Sequence, residues 1–475
     1  MSTRWVPTLH RHARLHHDTV RDRWAVLDPE RVLFLSPSAH AVITLCDGSR
    51  SDDDIVGVLT QRFAQPSVET DVRATLSLLH ARGALGYDPL AIRMDPARMP
   101  SETATVRALA PPLALTAELT HRCPLQCGYC SNPVDLAKHQ DSLSAANWLT
   151  IIDECADAGV LQCSLSGGEP LLFEGLDSLI AHARKRGMYC NLITSAWRLT
   201  DDRIRRLRDH GLEHVQISLQ HTDARRADAI AHAHGAHAQK LAAAERVVAH
   251  GMALSINTVL HRETVAHVRS LCDLAANLGA VRIELASVQS HGWALINREG
   301  LLPDAAACAQ ATVDAREAQR RHHPHMRVIA VINDYYADRP KPCMDGWGQK
   351  FITVSPDGML LPCPGAHELG LTFDSVLQGK TVSELWQSSE SLARFRGDAW
   401  MDEPCRSCDE RHRDHGGCRC QAYALTRSLT ATDPTCSKSP MHGLIVDARA
   451  RAEAPRDPVI TPRSLVRRPP DTHNE

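Results

Sequence analysis

A chain of 475 residues has room for one large domain and one or two smaller ones. Its hydrophobic fraction of 43% suits a soluble core, and a net charge of −3 without a basic block or aromatic-interleaved Lys/Arg stripe argues against a nucleic-acid partner. No apolar run reaches the roughly 18–20 residues of a membrane helix, and MSTRWVPTLHRHARLHHD lacks a signal-peptide core, so a cytoplasmic, membrane-free location is expected.

Residues 1–90 are expected to form a small winged-helix-like α+β unit. WAVLDPERVLFLS reads as two short strands joined at Asp28-Pro29, and SPSAHAVITLCDG as a helix ending at Gly48. SDDDIVGVLTQRF reads as a helix capped by Ser51, with acidic residues in its first turn. In SVETDVRATLSLLHARGAL, Val68, Val72, Leu76 and Leu79 make one apolar helix stripe. Residues 91–112, Pro-rich and aperiodic, read as a linker. From Leu113 onward the strands LALTAEL, VLQCSLS, YCNLIT, HVQISL, ALSINTV and VRIEL alternate with helices at 144–159, 175–187, 200–210, 236–250 and 263–278. That alternation predicts an α/β fold with a parallel sheet: six β/α units over 113–332, too few for an eight-stranded barrel. The rhythm stops near Asn333. A cysteine-, Gly- and Pro-rich domain is expected over 333–445 and a disordered tail over 446–475.

Sixteen cysteines in a chain without an export signal call for an explanation other than disulfides. Cys46, Cys155, Cys163, Cys190, Cys272 and Cys308 stand singly in apolar contexts and read as small buried hydrophobes. CPLQCGYC (123–130) is different: Cys123, Cys127 and Cys130 form a C-x3-C-x2-C group on a loop directly after a strand. Three thiolates there can hold three irons of a cubane 4Fe–4S cluster and leave the fourth iron open to a small molecule. Zinc is the competing reading, but structural zinc sites close with four ligands, and the next histidine is His139. One β/α unit later, SLSGGEPLL (164–172) sets Gly167, Gly168, Glu169 and Pro170 at a strand's C-terminal end. Two glycines let a ligand lie against bare backbone, and Glu169 offers an acceptor for an ammonium group.

Together the two motifs resemble the radical S-adenosylmethionine (radical SAM) superfamily, and the six units look like its partial (β/α)6 barrel. The resemblance implies a 4Fe–4S cluster on Cys123, Cys127 and Cys130, with S-adenosylmethionine chelating the open iron and yielding a 5′-deoxyadenosyl radical on reduction. Tyr129 is a candidate adenine contact, with a packing role as the alternative. Ser218 and Glu284, at strand ends, are candidate cofactor or substrate contacts, the alternative being satisfied core polar groups.

The second cysteine group comprises Cys343, Cys363, Cys405, Cys408, Cys418, Cys420 and Cys436. By itself its C-x2-C would also suit a zinc ribbon. Beside the first motif it resembles the SPASM extension of peptide-modifying radical SAM enzymes, except that Asp414 stands where that pattern has Cys. The resemblance implies two auxiliary clusters, 2Fe–2S and/or 4Fe–4S. One would be held by Cys343, Cys363, Cys418 and Cys420, the other by Cys405, Cys408, Asp414 and Cys436. Asp414, CRSC…GGCRCQA and GWALINREGLLP are similar to the PqqA peptide cyclases of pyrroloquinoline quinone biosynthesis, over about 113–445. Residues 1–90, with LDPERVLFLSPSAHAVITLCDG and DIVGVL, resemble PqqD, the partner that carries the PqqA precursor peptide. A fused peptide carrier and cyclase is the resulting expectation, joining a Glu γ-carbon to a Tyr ring of PqqA, with a flavodoxin-like or ferredoxin-like electron donor. No general base stands out, and none is assigned. The rivals are a thioether-forming or sulfatase-maturing enzyme and a non-enzymatic iron–sulfur or zinc scaffold that binds peptide. HAHGAH (232–237) reads as a solvated loop rather than a metal site.

Overall fold

The computed structural model describes residues 5–65, 67–86, 109–134, 140–289, 291–332, 334–344, 346–454 and 460–463. Most of the expected linker, through residue 108, and the end of the tail from 464 lie outside them. The chain divides into two compact units, Met1–Ala110 and Pro111–Glu475.

In the first unit β1 (Arg14–Asp18), β2 (Arg23–Asp28) and β3 (Arg31–Phe34) form an antiparallel sheet in that order. Arg31 pairs with Asp28 at 2.8 Å across the tight β2–β3 turn. Three helices follow, Pro37–Ile43, Asp52–Phe63 and Val68–Ala81. Ser51 and Asp54 form a reciprocal capping box that satisfies free N–H groups at the second helix's start. The predicted stripe Val68, Val72, Leu76 and Leu79 is buried against Val26, Ile55 and Leu59. Two features differ from the sequence reading. RLHHD carries no apolar alternation, so β1 is defined only by its pairing with β2. The first helix stops at Ile43, well short of the left-handed Gly48.

The second unit is built on one nine-stranded sheet. Its parallel run is β4 (Ala114–Glu118), β5 (Gln162–Ser166), β6 (Tyr189–Thr194), β7 (His214–Ser218), β8 (Ala253–Leu260), β9 (Arg282–Ser287) and β10 (Arg327–Val331). The six predicted strands are β4–β9. Helix Ala305–His322 and β10 add a seventh unit at one edge. At the other edge β11 (Phe351–Val354) pairs parallel with β4, followed by the antiparallel β12 (Leu360–Leu361). The cysteine-rich segment is thus tied into the sheet rather than appended to it.

Sheets covered by helices on both faces have nearly continuous apolar strands. Here the strands alternate. Cys163, Leu165, Cys190, Leu192, Val215 and Ile217 belong to the main apolar core with the surrounding helices. On the alternate positions Asn191 Nδ2 donates to Gln162 (2.9 Å), and the His214 ring bonds Asn191 (3.0 Å) and Ser255 (2.8 Å). Alternation in a parallel sheet marks an inner face that is polar, as an open barrel around a site requires. The six lone cysteines are all buried, as their sequence contexts imply. Among the described residues no helix is long and apolar enough to cross a membrane.

The tail expected from 446 onward begins inside a helix, Gly443–Glu453. Ile445, Ala448 and Ala452 make a stripe that packs on Leu302 and Tyr335, an apolar period that the surrounding charges obscure in the sequence.

Candidate active site and auxiliary cysteine groups

β4 ends at Glu118 and delivers the chain into the three-cysteine loop. Asp141 holds the loop's entry, accepting from the Thr120 hydroxyl and from the His121 amide (2.9 Å). Gln126 N donates to Ala231 O (3.1 Å), and Leu125 packs with Ala231, Ala233 and Ala236, so the loop is seated on the helices that follow β7. Cys123, Cys127 and Cys130 line a common cavity of about 140 Å³. Burial pushes the Cys123 thiol up to about 12 and raises that of Cys127. Metal coordination reverses that preference, since a ligating thiol is deprotonated outright.

The structure brings GGEP to the same cavity but revises the reasons for its residues. Gly167 and Gly168 line the cavity wall. Their missing side chains are also required by the cysteine loop: a Cβ on Gly167, whose φ is +118°, would stand 2.6 Å from Thr120 O, and one on Gly168 would stand 2.7 Å from His121 O. The two loops are stitched by Gly168 N to Thr120 O (2.6 Å) and Glu169 N to Arg122 O (2.8 Å). Glu169, 1% exposed, was expected to face a ligand ammonium. Its carboxylate instead accepts from Leu171 N (3.1 Å), Thr194 Oγ1, Ser195 N (2.9 Å) and Ser195 Oγ. These donors use both of its oxygens, and Pro170 opens the short 3₁₀ turn that Glu169 caps. A buried carboxylate with four donors is a rigid tie between the ends of β5 and β6.

Tyr129 and Ser218 also line the cavity. Tyr129 Oη accepts from Gln220 Nε2 (3.0 Å), and its ring lies 5.6 Å from that of His261. Glu284 is turned to Arg282 (2.6 Å) and lies outside the cavity lining. Two cations escaped the sequence reading. Lys240, 1% exposed, donates to Ser218 O (3.1 Å) and Gln220 Oε1 (2.6 Å), and burial lowers its pKa. Its signal was present: it lies on the buried stripe Ala236, Lys240, Ala243, Ala244, Val247, where a solvated lysine has no place. Arg463, from the segment read as disordered, also lines the cavity. HAHGAH is split: His232 and His234 are exposed, whereas His237 is buried and its backbone N donates to Asp228 (2.8 Å). A carboxylate–imidazole pair also went unread, Glu118 at the end of β4 with His367 at 3.2 Å, both largely buried.

The other cysteines gather in two places. Cys363 and Cys420 have their sulfurs 4.0 Å apart, and Cys418 shares hydrogen bonds with Cys343 and Cys420. Those bonds, aided by His291, hold the Cys418 thiol well below the ordinary cysteine range, while Cys343 and Cys420 are raised. The second gathering has Cys405, Cys408, Asp414 and Cys436. Burial raises the Cys405 and Cys436 thiols, and the nearby Asp414 carboxylate raises both further. Asp414 spends one oxygen on Gly416 N (2.9 Å). No three His, Cys, Asp or Glu side chains among the described residues converge on a single-ion site. Thiols that each meet a different iron of a cluster have no such common point.

Comparison with known proteins finds three families along the chain. Residues 117–275 match the radical SAM superfamily, 23–85 the coenzyme PQQ synthesis protein D (PqqD) family, and 343–409 the SPASM iron–sulfur cluster-binding domain. A PqqA peptide cyclase of Streptomyces rochei is 46% identical over 360 residues, 76% of this chain and 98% of that protein. One of Granulibacter bethesdensis is 45% identical over 341 residues, 72% of this chain and 91% of the other. Among solved structures, Streptococcus suis SuiB bound to S-adenosylmethionine aligns with a TM-score of 0.60 at 14% identity, over 90% of this chain and 99% of that one. AdoMet-bound anSMEcpe aligns at 0.52 and 16% identity, over 71% and 93%. At such identities these two likenesses concern the fold. The chain is a radical SAM enzyme with a SPASM domain and an N-terminal PqqD domain, and it belongs to the PqqA peptide cyclase family.

Proposed function

We propose that this enzyme forms a carbon–carbon crosslink between a Glu and a Tyr side chain of the PqqA precursor peptide. The carrying observation is the gathering, in one chain, of a three-thiol loop beside GGEP and two groups of four candidate ligands, one containing Asp414. Cys123, Cys127 and Cys130 would hold a 4Fe–4S cluster with S-adenosylmethionine. Cys343, Cys363, Cys418 and Cys420 would hold one auxiliary cluster, and Cys405, Cys408, Asp414 and Cys436 the other. When bound, these groups supply one-electron cleavage of S-adenosylmethionine to a hydrogen-abstracting radical, together with an electron acceptor.

The protein's own residues shape the site. Gly167, Gly168, Tyr129 and Ser218 wall the cavity, and Glu169 holds the ends of β5 and β6 in register beside it. The peptide loses two hydrogens in all: a hydrogen atom from the Glu γ-carbon, then an electron and a proton from the Tyr ring adduct. Delivery falls to the PqqD domain, whose sheet has β1 and β3 as edges, either of which can take an extended peptide by strand addition. A tether between carrier and catalyst raises the local peptide concentration. A flavodoxin-like or ferredoxin-like protein is the electron donor in this reading.

The test is anaerobic. Reconstituted enzyme, reductant, S-adenosylmethionine and the PqqA peptide from the same genome should give a peptide lighter by two hydrogens, with fragmentation mapping a Glu–Tyr link. Formation of 5′-deoxyadenosine with an unchanged peptide mass would assign the radical chemistry to another substrate.

A further inference from the structure

Residues 460–463, ITPR, return from the chain's end to the three-cysteine loop. Asn297 clamps them: its Nδ2 donates to Gly128 O (2.8 Å) and Thr461 O (2.7 Å), and its Oδ1 accepts from Thr461 N (2.8 Å). Arg463 N donates to Gln126 O (3.1 Å), and Ile460 packs with Tyr129 and Val288. Gly128 has no room for a side chain because this segment lies on it; a Cβ would stand 3.3 Å from Thr461 O and closer still to Ile460. Two consecutive positions of the cysteine motif, Gly128 and Tyr129, are therefore shaped by the segment.

Arg463 is carried into the cavity by that clamp. It is 2% exposed, and one Nη donates to His121 O at 2.6 Å. Its Nε has no partner, and no carboxylate pairs with it among the described residues. A buried guanidinium lacking an anion is strongly unfavourable. The anionic group this cavity would hold is a cluster ligated by its three cysteines as thiolates, and Arg463 lines the cavity together with Cys123, Cys127 and Cys130.

We propose that Arg463, held by the Asn297–Thr461 clamp, is the positive charge that sets the reduction potential of the cluster on Cys123, Cys127 and Cys130. A fixed cation beside a cluster favours the reduced, more negative form, since net charge and solvent exposure set the potentials of iron–sulfur sites. This rests on those three cysteines holding the cluster. It does not depend on which peptide is modified, so its failure is separable from failure of the crosslinking assignment.

The test is an anaerobic redox titration of the full chain by electron paramagnetic resonance, following the signal that changes shape when S-adenosylmethionine is added. Arg463→Gln should retain that signal and make reduction at least about tenfold less favourable, a downward shift of about 59 mV for one electron. Arg463→Lys should stay near wild type, and Asn297→Ala should shift in the same direction as the Gln variant. An unchanged potential in Arg463→Gln overturns the proposal. Should the Gln variant lose the cluster, the Lys variant decides. A Lys variant with an intact cluster of wild-type potential supports the charge, and one that also loses its cluster makes Arg463 a packing residue and overturns it.

Discussion

The two cysteine-bearing regions of the second unit position their ligands by different means. In 123–130 the three thiols lie within one short loop, pinned by Asp141, by backbone bonds to GGEP and by the helices after β7. In 343–436 the candidate ligands are spread along the chain on turns and very short helices, such as Arg411–Asp414. There the framework is side-chain packing. Trp347, Phe395 and Trp400 meet edge to face at 5.0 Å, and buried Arg419 stacks on Trp400 at 4.7 Å. Asp433, its carboxyl pushed up to about 6 by burial, accepts from Cys418 N (3.1 Å). The first region is held in place by its own regular surroundings. The other has little regular structure of its own, and bound clusters should supply part of its stability.

Breaking one region at a time gives the largest effects. Cys127→Ala should leave no detectable 5′-deoxyadenosine while the iron of the C-terminal groups remains. Cys420→Ala should do the reverse, cleaving S-adenosylmethionine while yielding no crosslinked peptide. Iron analysis with product chromatography reads both. If Cys127→Ala also stripped the C-terminal iron, the regions would not be independent.

Iron removal sharpens the contrast next. Chelation of the full chain should expose 400–436 to limited proteolysis while 113–332 resists, because the barrel's apolar core, which also takes in Ile352, Val354, Leu385 and Trp386, needs no metal. Mass mapping of the first cuts is the check. First cuts within the helices of 144–278 would mean that the barrel depends on its cluster as well.

Gly168→Ala tests the stitching itself. The added Cβ would meet the carbonyls of His121 and Arg122, so the cysteine loop must move away from GGEP. S-adenosylmethionine affinity should fall by about 10–100-fold, the range usual for residues that support a metal site from outside its ligands. Calorimetry on reconstituted enzyme measures it, and an unchanged affinity would mean that loop spacing is not critical.

The same contrast governs how much of the molecule is legible in the sequence. Local codes read well. The C-x3-C-x2-C spacing, the Ser51 cap, the stripe at Val68–Leu79 and the six strands β4–β9 all depend on neighbours a few residues apart. Features made by distant partners did not. β1 and β11 are defined by pairing, Glu169 is directed by Thr194 and Ser195, and Arg463 is placed by Asn297. Gly167 and Gly168 read in the sequence as bare backbone for a ligand, and the structure adds the close approach of a second loop as a reason for both. The one missed residue with a local signal was Lys240, a charge on an apolar helical stripe.

Asp414 offers the finest test of the second region. A carboxylate is a harder and less electron-donating ligand for iron than a thiolate, so replacing it by Cys makes the group all-thiolate. Asp414→Cys gives up the carboxylate that accepts from Gly416 N, but the backbone bonds Asp414 N to Glu410 O (3.2 Å) and Gly417 N to Asp414 O (2.9 Å) at the end of the four-residue helix do not depend on the side chain. Asp414→Cys should therefore retain its iron and the wild-type rate of 5′-deoxyadenosine formation. The potential of one auxiliary cluster should fall, and crosslinking should slow by less than about tenfold, the change expected from a barrier increase under 1.4 kcal/mol. An EPR-monitored titration of Cys127→Ala/Asp414→Cys against Cys127→Ala removes the overlapping signal of the first site. An unmoved potential there would make Asp414 a loop residue, and the ligand of that cluster would have to be sought elsewhere.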